Sequence, residues 1–305
     1  MKIDLDAETK GELMKVSYNP GTNTFEPSRK DSLLPQIMWH ITDHCHLNCK
    51  TCFTKERKLR GPRKNCAQML QNLPMLKQLG VQKIDLSGGE PLLFEGLPEL
   101  VKCAKQTKLH LTITTRGIGT KKNCEWLEQN WMEFSRVILS LDGGNEQMCD
   151  SYSGYSGTFS HAIDIYSRLK KQGCDRLRIN TVVNQNIFNI LAQDELINLI
   201  SFLEPKEWCI IEPHPANKAS TFEQYAVTGE EYCAFSERSM SAFKGKKTVV
   251  LQRRNTMYGT YWALYPDNMI CKLSEEENAF FEVEFSKENL SSIIEILEQS
   301  AHLLP

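Results

Sequence analysis

The chain has 305 residues, of which 41% are hydrophobic and 24% are charged, and its formal net charge is -2 at pH 7. This composition is typical of a globular protein with a full hydrophobic core, built as one large α/β domain or two smaller ones, of which we favour one. A charge so close to neutral argues against a nucleic-acid polymer as partner, and the longest apolar runs fall short of the about 20 residues that span a bilayer, which argues against a membrane partner.

The first 35 residues are predicted to form a loop-rich amino-terminal extension. Residues 17–32 (SYNPGTNTFEPSRKDS) are rich in Pro, Gly, Asn, Thr and charge, which is typical of turns and loops. The beginning of the chain lacks the apolar stretch of a signal peptide. The chain also contains eleven cysteines, several of them isolated, which indicates reduced thiols in a reducing compartment. Together these features predict a cytoplasmic protein.

Six strand-then-helix units are predicted in the core, residues 36–215. Between the strands lie segments with apolar residues three and four apart, which is the spacing of amphipathic helices. Such a series favours a parallel sheet with right-handed crossovers, so the predicted fold class is α/β, a partial (β/α)6 barrel of the TIM type. The predicted strands are residues 37–42, 82–87, 109–115, 136–141, 176–183 and 207–212.

Residues 216–305 break this alternation and are predicted to form a carboxyl-terminal α/β extension. The extension has a strand-like run at residues 248–252 and an amphipathic helical pattern near residues 290–297. Loops and appendages on a barrel commonly select the substrate. We therefore expect this extension to close the barrel and the substrate site.

Three cysteines follow the first predicted strand of the core: Cys45, Cys49 and Cys52, in HCHLNCKTCF with the spacing C-x3-C-x2-C. One interpretation is a structural zinc site that recruits His44 or His46 as a fourth ligand, as in a zinc-binding interaction module, or a pair of oxidised cysteines. The other interpretation is an iron-sulfur cluster. A cluster with three cysteines has one iron with an open coordination position, which can bind a chelating cofactor.

Further polar segments fall at the carboxyl ends of predicted strands, the face on which barrel enzymes build their sites. The second strand runs into SGGEP, residues 87–91, where two glycines permit close approach of the backbone and Glu90 offers a carboxylate to an ammonium group. An ordinary Gly-Pro turn is the alternative. The ends of the third, fourth and fifth strands contribute Thr115, Ser140, Arg178, Asn180 and Val182, the last three on one face.

The cysteine spacing, followed by an aromatic residue and combined with GGEP, resembles the signature of radical S-adenosylmethionine (SAM) enzymes. The resemblance implies a barrel of the radical SAM type, in which Cys45, Cys49 and Cys52 hold one four-iron, four-sulfur (4Fe-4S) cluster and SAM chelates the remaining iron. It also implies an external electron donor of the flavodoxin or ferredoxin type. No catalytic side chain is assigned, because the cofactor supplies the radical. The implied SAM contacts are Phe53, Gly88, Gly89, Glu90, Pro91, Thr115, Ser140, Asn180 and Val182, although for Asn180 a buried backbone contact is an equal alternative.

From about residue 36 to residue 271, the order of segments is similar to that of the viperin-like nucleotide dehydratases. The later segments are RINTVVN, EPKEWCIIE and NTMYGTYWALYPDNMIC. The resemblance implies dehydration of a nucleoside triphosphate to its 3'-deoxy-3',4'-didehydro form, and a role in antiviral defence. A radical SAM enzyme acting on another small metabolite, a nucleoside or a peptide is the alternative. The chain departs from the resembled family at Arg116, where many members have Asn.

A nucleoside triphosphate, the small-molecule substrate that the resemblance implies, needs cations near the radical. Basic residues at a predicted helix start and on a strand face toward the barrel mouth suit the phosphates, and a tyrosine-rich segment suits the base. For the neighbouring Lys122, Arg254 and Tyr265 we favour surface charge or core packing. The predicted substrate-binding residues are Lys121, Arg178, Arg253, Asn255 and Tyr258.

Overall fold

A computed structural model describes the chain at residues 16–19, 24–27, 34, 36–52, 54–55, 57, 59–215, 221–244, 248–257, 261–273 and 280–302. The strands are β1 (Val16–Asn19), β2 (Thr24–Pro27), β3 (Gln36–Thr42), β4 (Lys83–Gly88), β5 (His110–Thr115), β6 (Arg136–Ser140), β7 (Leu177–Val182), β8 (Glu207–Ile211), β9 (Thr248–Gln252), β10 (Trp262–Leu264), β11 (Met269–Leu273) and β12 (Phe280–Glu284). The helices are α1 (Cys66–Leu70), α2 (Asn72–Gln78), α3 (Leu97–Gln106), α4 (Lys121–Asn130), α5 (Glu146–Ser153), α6 (Thr158–Lys171), α7 (Ile190–Leu203), α8 (Phe222–Tyr225), α9 (Gly229–Ala242) and α10 (Leu290–His302).

The central feature is one open sheet, in the order β12-β11-β10-β3-β4-β5-β6-β7-β8-β9. Strands β3 to β8 are parallel neighbours in chain order and correspond to the six predicted strands, so the predicted partial barrel is confirmed. Strand β9 pairs in parallel with β8, while β10 pairs in parallel with β3 at the other edge. The carboxyl-terminal strands therefore extend the barrel sheet at both edges.

The predicted amino-terminal extension is described only in part. Strands β1 and β2 pair antiparallel as a separate two-stranded sheet, and the remainder up to residue 33 lies outside the described residues. No helix in the described part of the chain is long and apolar enough to cross a membrane.

The two faces of the sheet differ in chemistry. The outer face packs on the helices through alternating apolar residues, such as Ile84 and Leu86 on β4 and Val137 and Leu139 on β6, which are all at most 2% exposed. Parallel strands covered on both faces are usually apolar throughout. Here the other, inner face is polar: its side chains include Lys83, Asp85, Thr112, Thr114, Arg136, Arg178, Asn180 and Glu207. This departure from the usual pattern makes the interior of the barrel a candidate binding site.

Candidate functional site

The cysteine loop, residues 43–57, begins where β3 ends and is held by α5. The backbone N–H of Asn48 donates to the carbonyl of Ser153 (2.7 Å), and that of Lys50 donates to the carbonyl of Tyr152 (3.0 Å). The hydroxyls of Thr51 and Tyr152 share a hydrogen bond of 2.5 Å. Because these contacts use the last turn of α5, the position of the loop is fixed by a helix that is about 100 residues distant in sequence.

The three cysteines of this loop are free thiols: Cys45 is exposed, and Cys49 and Cys52 are partly buried. Burial raises the pKa of Cys49 to about 12, and the negative charges of Cys52 and Cys45 act in the same direction. Burial likewise raises the pKa of Cys45. Ionised thiols this close together repel one another. They therefore need a nearby positive charge, which the irons of an iron-sulfur cluster provide. The predicted neighbour Phe53 lies outside the described residues.

The arrangement of side chains around the loop also bears on the choice between a zinc ion and an iron-sulfur cluster. Within the ranges that the structure describes, no three Cys, His, Asp or Glu side chains converge closely enough to bind one metal ion. In a 4Fe-4S cluster each cysteine binds a different iron, so the cysteines stand further apart than the ligands of a single zinc ion. Three cysteine thiols on one loop are the donor set that such a cluster requires.

The GGEP turn lies directly against the cysteine loop. Gly89 N–H donates to the carbonyl of Thr42 (2.7 Å), and Glu90 N–H donates to the carbonyl of His44 (2.8 Å). A Cβ added at Gly88, where φ is +144°, would lie 2.2 Å from the Thr42 carbonyl oxygen, and one added at Gly89 would lie 2.2 Å from that of His44. Only glycine allows this approach, so the two motifs are joined through their backbones.

Glu90 also connects the turns that follow β4 and β5. Its side chain is buried, and its Oε1 accepts hydrogen bonds from the Leu92 N–H (3.1 Å) and the Thr115 hydroxyl, while Oε2 accepts one from the Arg116 N–H (2.9 Å). A carboxylate offers about four acceptor positions, so one position is left for an ammonium group. Burial raises the pKa of Glu90 to about 7. The role of Glu90 in linking the two turns was not predicted from the sequence.

The raised pKa of Glu90 predicts a pH dependence of stability. In the folded protein the Glu90 carboxyl keeps its proton up to about pH 7, whereas in the unfolded chain it loses the proton near its ordinary pKa of 4.5. Glu90 should therefore lower the free energy of unfolding by roughly 3 kcal/mol as the pH rises from 4.5 to 7. The Glu90→Gln variant cannot ionise, so urea unfolding at pH 5 and pH 8 should show less loss of stability for the variant than for the parent. An identical loss in both proteins would contradict this assignment.

An ion pair that the sequence did not predict lies at the carboxyl ends of β5 and β6. Arg116, directly after β5, pairs with Asp142, directly after β6; their side chains are 11% and 1% exposed. Asp142 Oδ1 also accepts a hydrogen bond from the Val182 N–H (2.6 Å), and the Arg116 guanidinium lies 5.8 Å from the centre of the Tyr152 ring. The carboxyl ends of adjacent parallel strands meet at one edge, so opposite charges at these two strand ends were the signal that could have revealed the pair.

The other predicted SAM contacts lie at the same edge of the sheet. The Thr115 hydroxyl donates to Glu90 and accepts a hydrogen bond from the Gly117 N–H (2.9 Å). Ser140 is the register partner of Asn180, whose Oδ1 accepts a hydrogen bond from Arg178 Nε (2.8 Å). Pro91 is buried at the beginning of a short 3-10 helix.

The predicted substrate-binding residues do not form one group. Lys121 is 89% exposed and pairs with Glu125 on its own helix (3.8 Å). Arg253 is half-buried and contacts Cys233, and Asn255 is exposed. Tyr258 lies outside the described residues. Arg178 is the member of this set that lies on the inner face of the sheet.

Arg178 belongs to a network of buried charges on that inner face. Glu207 pairs with Arg136 (2.7 Å) and with Arg178 (3.6 Å). Asp85 accepts hydrogen bonds from the hydroxyls of Thr112 (2.9 Å) and Thr114 (3.0 Å). Lys83 lies two residues before Asp85 on the same face of β4, and burial lowers its pKa to about 7. On the described strands β4 to β8, this network comprises the basic groups of Lys83, Arg136 and Arg178 and the carboxylates of Asp85 and Glu207, and it lies toward the amino-terminal ends of the strands.

Tyr265 is part of the core, as favoured from the sequence. Its ring stacks on that of His40 (4.5 Å between centroids), and the Arg57 guanidinium lies 3.8 Å from its centre. Arg57 also pairs with Asp267 (3.3 Å) and with Glu282 on β12 (3.0 Å). These contacts attach the far end of the cysteine loop to the carboxyl-terminal strands.

Removing the Arg57 side chain should destabilise the fold strongly. The Arg57 side chain is 4% exposed and that of Asp267 is fully buried, so Arg57→Met leaves the buried Asp267 without its counter-charge, while Glu282 keeps its pair with Arg60. We expect the free energy of unfolding in urea to fall by about 3 kcal/mol or more. The matched control is Arg63→Met, because Arg63 pairs with Asp43 at an exposed position and should contribute less than about 1 kcal/mol. Equal effects of the two substitutions would be inconsistent with this account.

A partial parallel barrel, with a three-cysteine loop after its first strand and a GGEP turn against that loop, defines the radical SAM class of enzymes. Residues 39–203 match the Radical SAM superfamily, and the chain belongs to this superfamily. Membership makes the protein a radical SAM enzyme and implies that a 4Fe-4S cluster and SAM are its cofactors.

Two relatives are named as nucleotide dehydratases. The chain is 25% identical over 278 residues to the S-adenosylmethionine-dependent nucleotide dehydratase of Lacinutrix mariniflava, covering 87% of this chain but 55% of that protein. It thus spans about half the length of that relative. It is also 25% identical over 248 residues to the enzyme of the same name from Flammeovirga pacifica, covering 77% of this chain and 81% of the relative. Among solved structures, SuiB of Streptococcus suis bound to S-adenosylmethionine has a TM-score of 0.69 at 16% identity, covering 86% of this chain and 66% of SuiB. This last likeness concerns the fold alone.

Proposed function

We propose that this radical SAM enzyme acts on a nucleoside triphosphate and dehydrates it to the 3'-deoxy-3',4'-didehydro form. The observation from the structure that supports the proposal is Arg178, a half-buried cation on the inner face of β7. Buried cations favour an anionic partner, and a phosphate group is suited to arginine. The two relatives named as nucleotide dehydratases add support.

The cofactors are proposed to bind at the junction of the cysteine loop and the GGEP turn. Cys45, Cys49 and Cys52 hold the cluster, and the free acceptor position of Glu90 receives the amino group of SAM. When bound, the reduced cluster and SAM supply a 5'-deoxyadenosyl radical that takes the hydrogen from C4' of the ribose. The loop contacts described above hold this junction in place. Further SAM contacts are proposed at Phe53, Gly88, Gly89, Pro91, Thr115, Ser140, Asn180 and Val182.

The cellular location, the electron donor and the domain organisation of the enzyme are proposed as well. We place it in the cytoplasm, because all eleven cysteines, each within the described residues, are unpaired thiols. A flavodoxin or ferredoxin is the proposed electron donor. Residues 36–215 are proposed as the catalytic core, with residues 1–35 as an extension and residues 216–305 closing the substrate site.

The test of the proposed reaction is a panel of ATP, GTP, CTP and UTP added to the reduced, cluster-loaded enzyme with SAM under anaerobic conditions. At least one nucleotide should stimulate release of 5'-deoxyadenosine and yield a product lighter by one water. In Arg178→Gln the KM for that nucleotide should rise about 10-fold, which corresponds to the loss of one charge-assisted contact. The matched control is Arg238→Gln, which removes a surface arginine of α9 paired with Asp194 and should leave KM unchanged. If no nucleotide stimulates turnover, the dehydratase proposal fails.

A further inference from the structure

Basic side chains are concentrated in the part of the chain that follows Cys49. Residues 50–64 (KTCFTKERKLRGPRK), the basic segment, contain seven lysines and arginines but one acidic residue, in a chain whose net charge is -2. Lys55 is exposed, and the side chains of Arg60 and Arg63 are 65% and 56% exposed. A surface with this density of positive charge attracts a negatively charged partner.

The folded chain balances only part of this charge. Arg60 and Arg63 each pair with one carboxylate. Within the ranges that the structure describes, no carboxylate pairs with Lys55, which is exposed, or with Lys64, which is half-buried. The basic segment therefore keeps positive charge for which the rest of the described chain supplies no counter-charge.

The backbone of the basic segment is attached to the turn between β10 and β11. The Arg60 N–H donates to Asp267 Oδ2 (2.7 Å), and the Lys64 N–H donates to the carbonyl of Pro266 (2.7 Å). The buried side chain of Arg57 pairs with the same Asp267 (3.3 Å). Because these anchors are backbone groups and one buried arginine, the remaining cations are held at the surface in a fixed arrangement, and such pre-organisation lowers the cost of binding a partner.

We propose that the basic segment is the docking surface for an acidic one-electron carrier protein, an inference that rests on the proposed external electron donor. The segment contains Cys52, a proposed cluster ligand, so a carrier docked there brings its redox centre close to the cluster. One electron passes from the reduced carrier to the oxidised cluster, and no atom is transferred. Encounters between redox proteins are weak, so complementary charge acts mainly by raising the association rate. A nucleic acid would also suit the charge, but it would not account for the position of the cations beside a cluster ligand.

The experiment measures kcat/KM for a reduced acidic flavodoxin as electron donor, from the release of 5'-deoxyadenosine by the cluster-loaded enzyme with SAM and without nucleotide. In the double variant Lys55→Glu/Lys64→Glu this kcat/KM should fall by about 10-fold or more at low salt, and in Lys55→Gln/Lys64→Gln it should fall by less. Raising the ionic strength from about 0.01 M to about 0.15 M should lower the value for the parent, because the screening length shortens from about 30 Å to about 8 Å. With reduced methyl viologen, a small cationic donor that needs no docking surface, both variants should cleave SAM like the parent.

The matched control reverses two lysines at the opposite edge of the sheet. Lys171 ends α6 and Lys206 directly precedes β8, so both lie at the amino-terminal edge of the parallel strands, and both are exposed. The basic segment follows β3 at the carboxyl-terminal edge. Lys171→Glu/Lys206→Glu changes the net charge by the same amount, yet it should keep the kcat/KM of the parent for flavodoxin.

Three outcomes would overturn the proposal. One is an unchanged kcat/KM in Lys55→Glu/Lys64→Glu, even if that variant loses affinity for bulk RNA. Another is an equal loss in the control variant, which would indicate an effect of net charge alone. The third is a parent enzyme that cleaves SAM with viologen but with no acidic flavodoxin or ferredoxin. If Lys55→Glu/Lys64→Glu is inactive even with viologen, the glutamine variant and the salt dependence of the parent still decide. The assay contains no nucleotide, so its result is independent of the dehydratase proposal.

Discussion

Replacing Cys49 by alanine is expected to reduce the release of 5'-deoxyadenosine to background. Cys49 sits between Cys45 and Cys52 in the loop held by α5, and the loop offers no further cysteine among the described residues. With two thiolates left, a second iron loses its protein ligand, and the cluster no longer presents a single open position to SAM. The measurement combines anaerobic reconstitution, iron and sulfide analysis, and chromatography of the nucleoside product after addition of dithionite and SAM.

The control for this substitution is Cys103→Ala. Cys103 lies in α3, half-buried and packed against the core away from the cysteine loop. The control should hold about four irons per chain and cleave SAM like the parent. Equal release of 5'-deoxyadenosine by the two variants would refute the assignment of the cluster to this loop.

Replacing Gly89 by alanine is expected to have the second largest effect. The new Cβ would lie 2.2 Å from the oxygen and 2.6 Å from the carbon of the His44 carbonyl. Both atoms belong to backbone, so the strain cannot be relieved by a side-chain rotation, and the GGEP turn must separate from the cysteine loop. Overpacking of this kind costs about 2 kcal/mol, which corresponds to roughly 30-fold weaker binding of SAM if the strain falls on the binding conformation.

Equilibrium binding of SAM to the reconstituted protein measures this effect. The control is Gly61→Ala, since a Cβ at Gly61 would meet its nearest atom, the Asp267 carbonyl oxygen, at 3.8 Å, an ordinary contact. Gly61→Ala should bind SAM like the parent. If Gly89→Ala binds SAM with unchanged affinity while remaining folded, the close approach of the two motifs is not required for the site.

The core strands were predictable because their signal is local. Apolar, β-prone runs locate β4 to β8 to within one or two residues. On β7, alternation also predicted that Arg178, Asn180 and Val182 share one face, which is the inner face of the barrel. The strand-like run at residues 248–252 is β9, and the amphipathic pattern near residues 290–297 lies within α10 (Leu290–His302). Sequence alone did not show that β9 joins β8 while β10 joins β3, since pairing depends on contacts between distant segments.

The contacts that organise the site are distant in sequence and were missed for that reason. Arg57 meets Asp267 across 210 residues, and Tyr152 meets Thr51 across 101. Tyr265 was assigned to core packing, but its stacking on His40 and the hydrogen bond of Tyr261 to His40 were not predicted. Arg116 was noted only as a departure from a family pattern, because nothing local indicates that its side chain pairs with Asp142.

The central claim is that the cysteine loop leaves one iron of a cluster open to SAM, and electron-nuclear double resonance tests it most directly. The reduced, reconstituted protein is mixed with SAM labelled with nitrogen-15 in the amino group or oxygen-17 in the carboxylate. The account predicts hyperfine coupling of both labels to the spin of the cluster, since both groups bind the open iron. A reduced cluster whose spectrum is unchanged by saturating labelled SAM, with neither coupling, would contradict it.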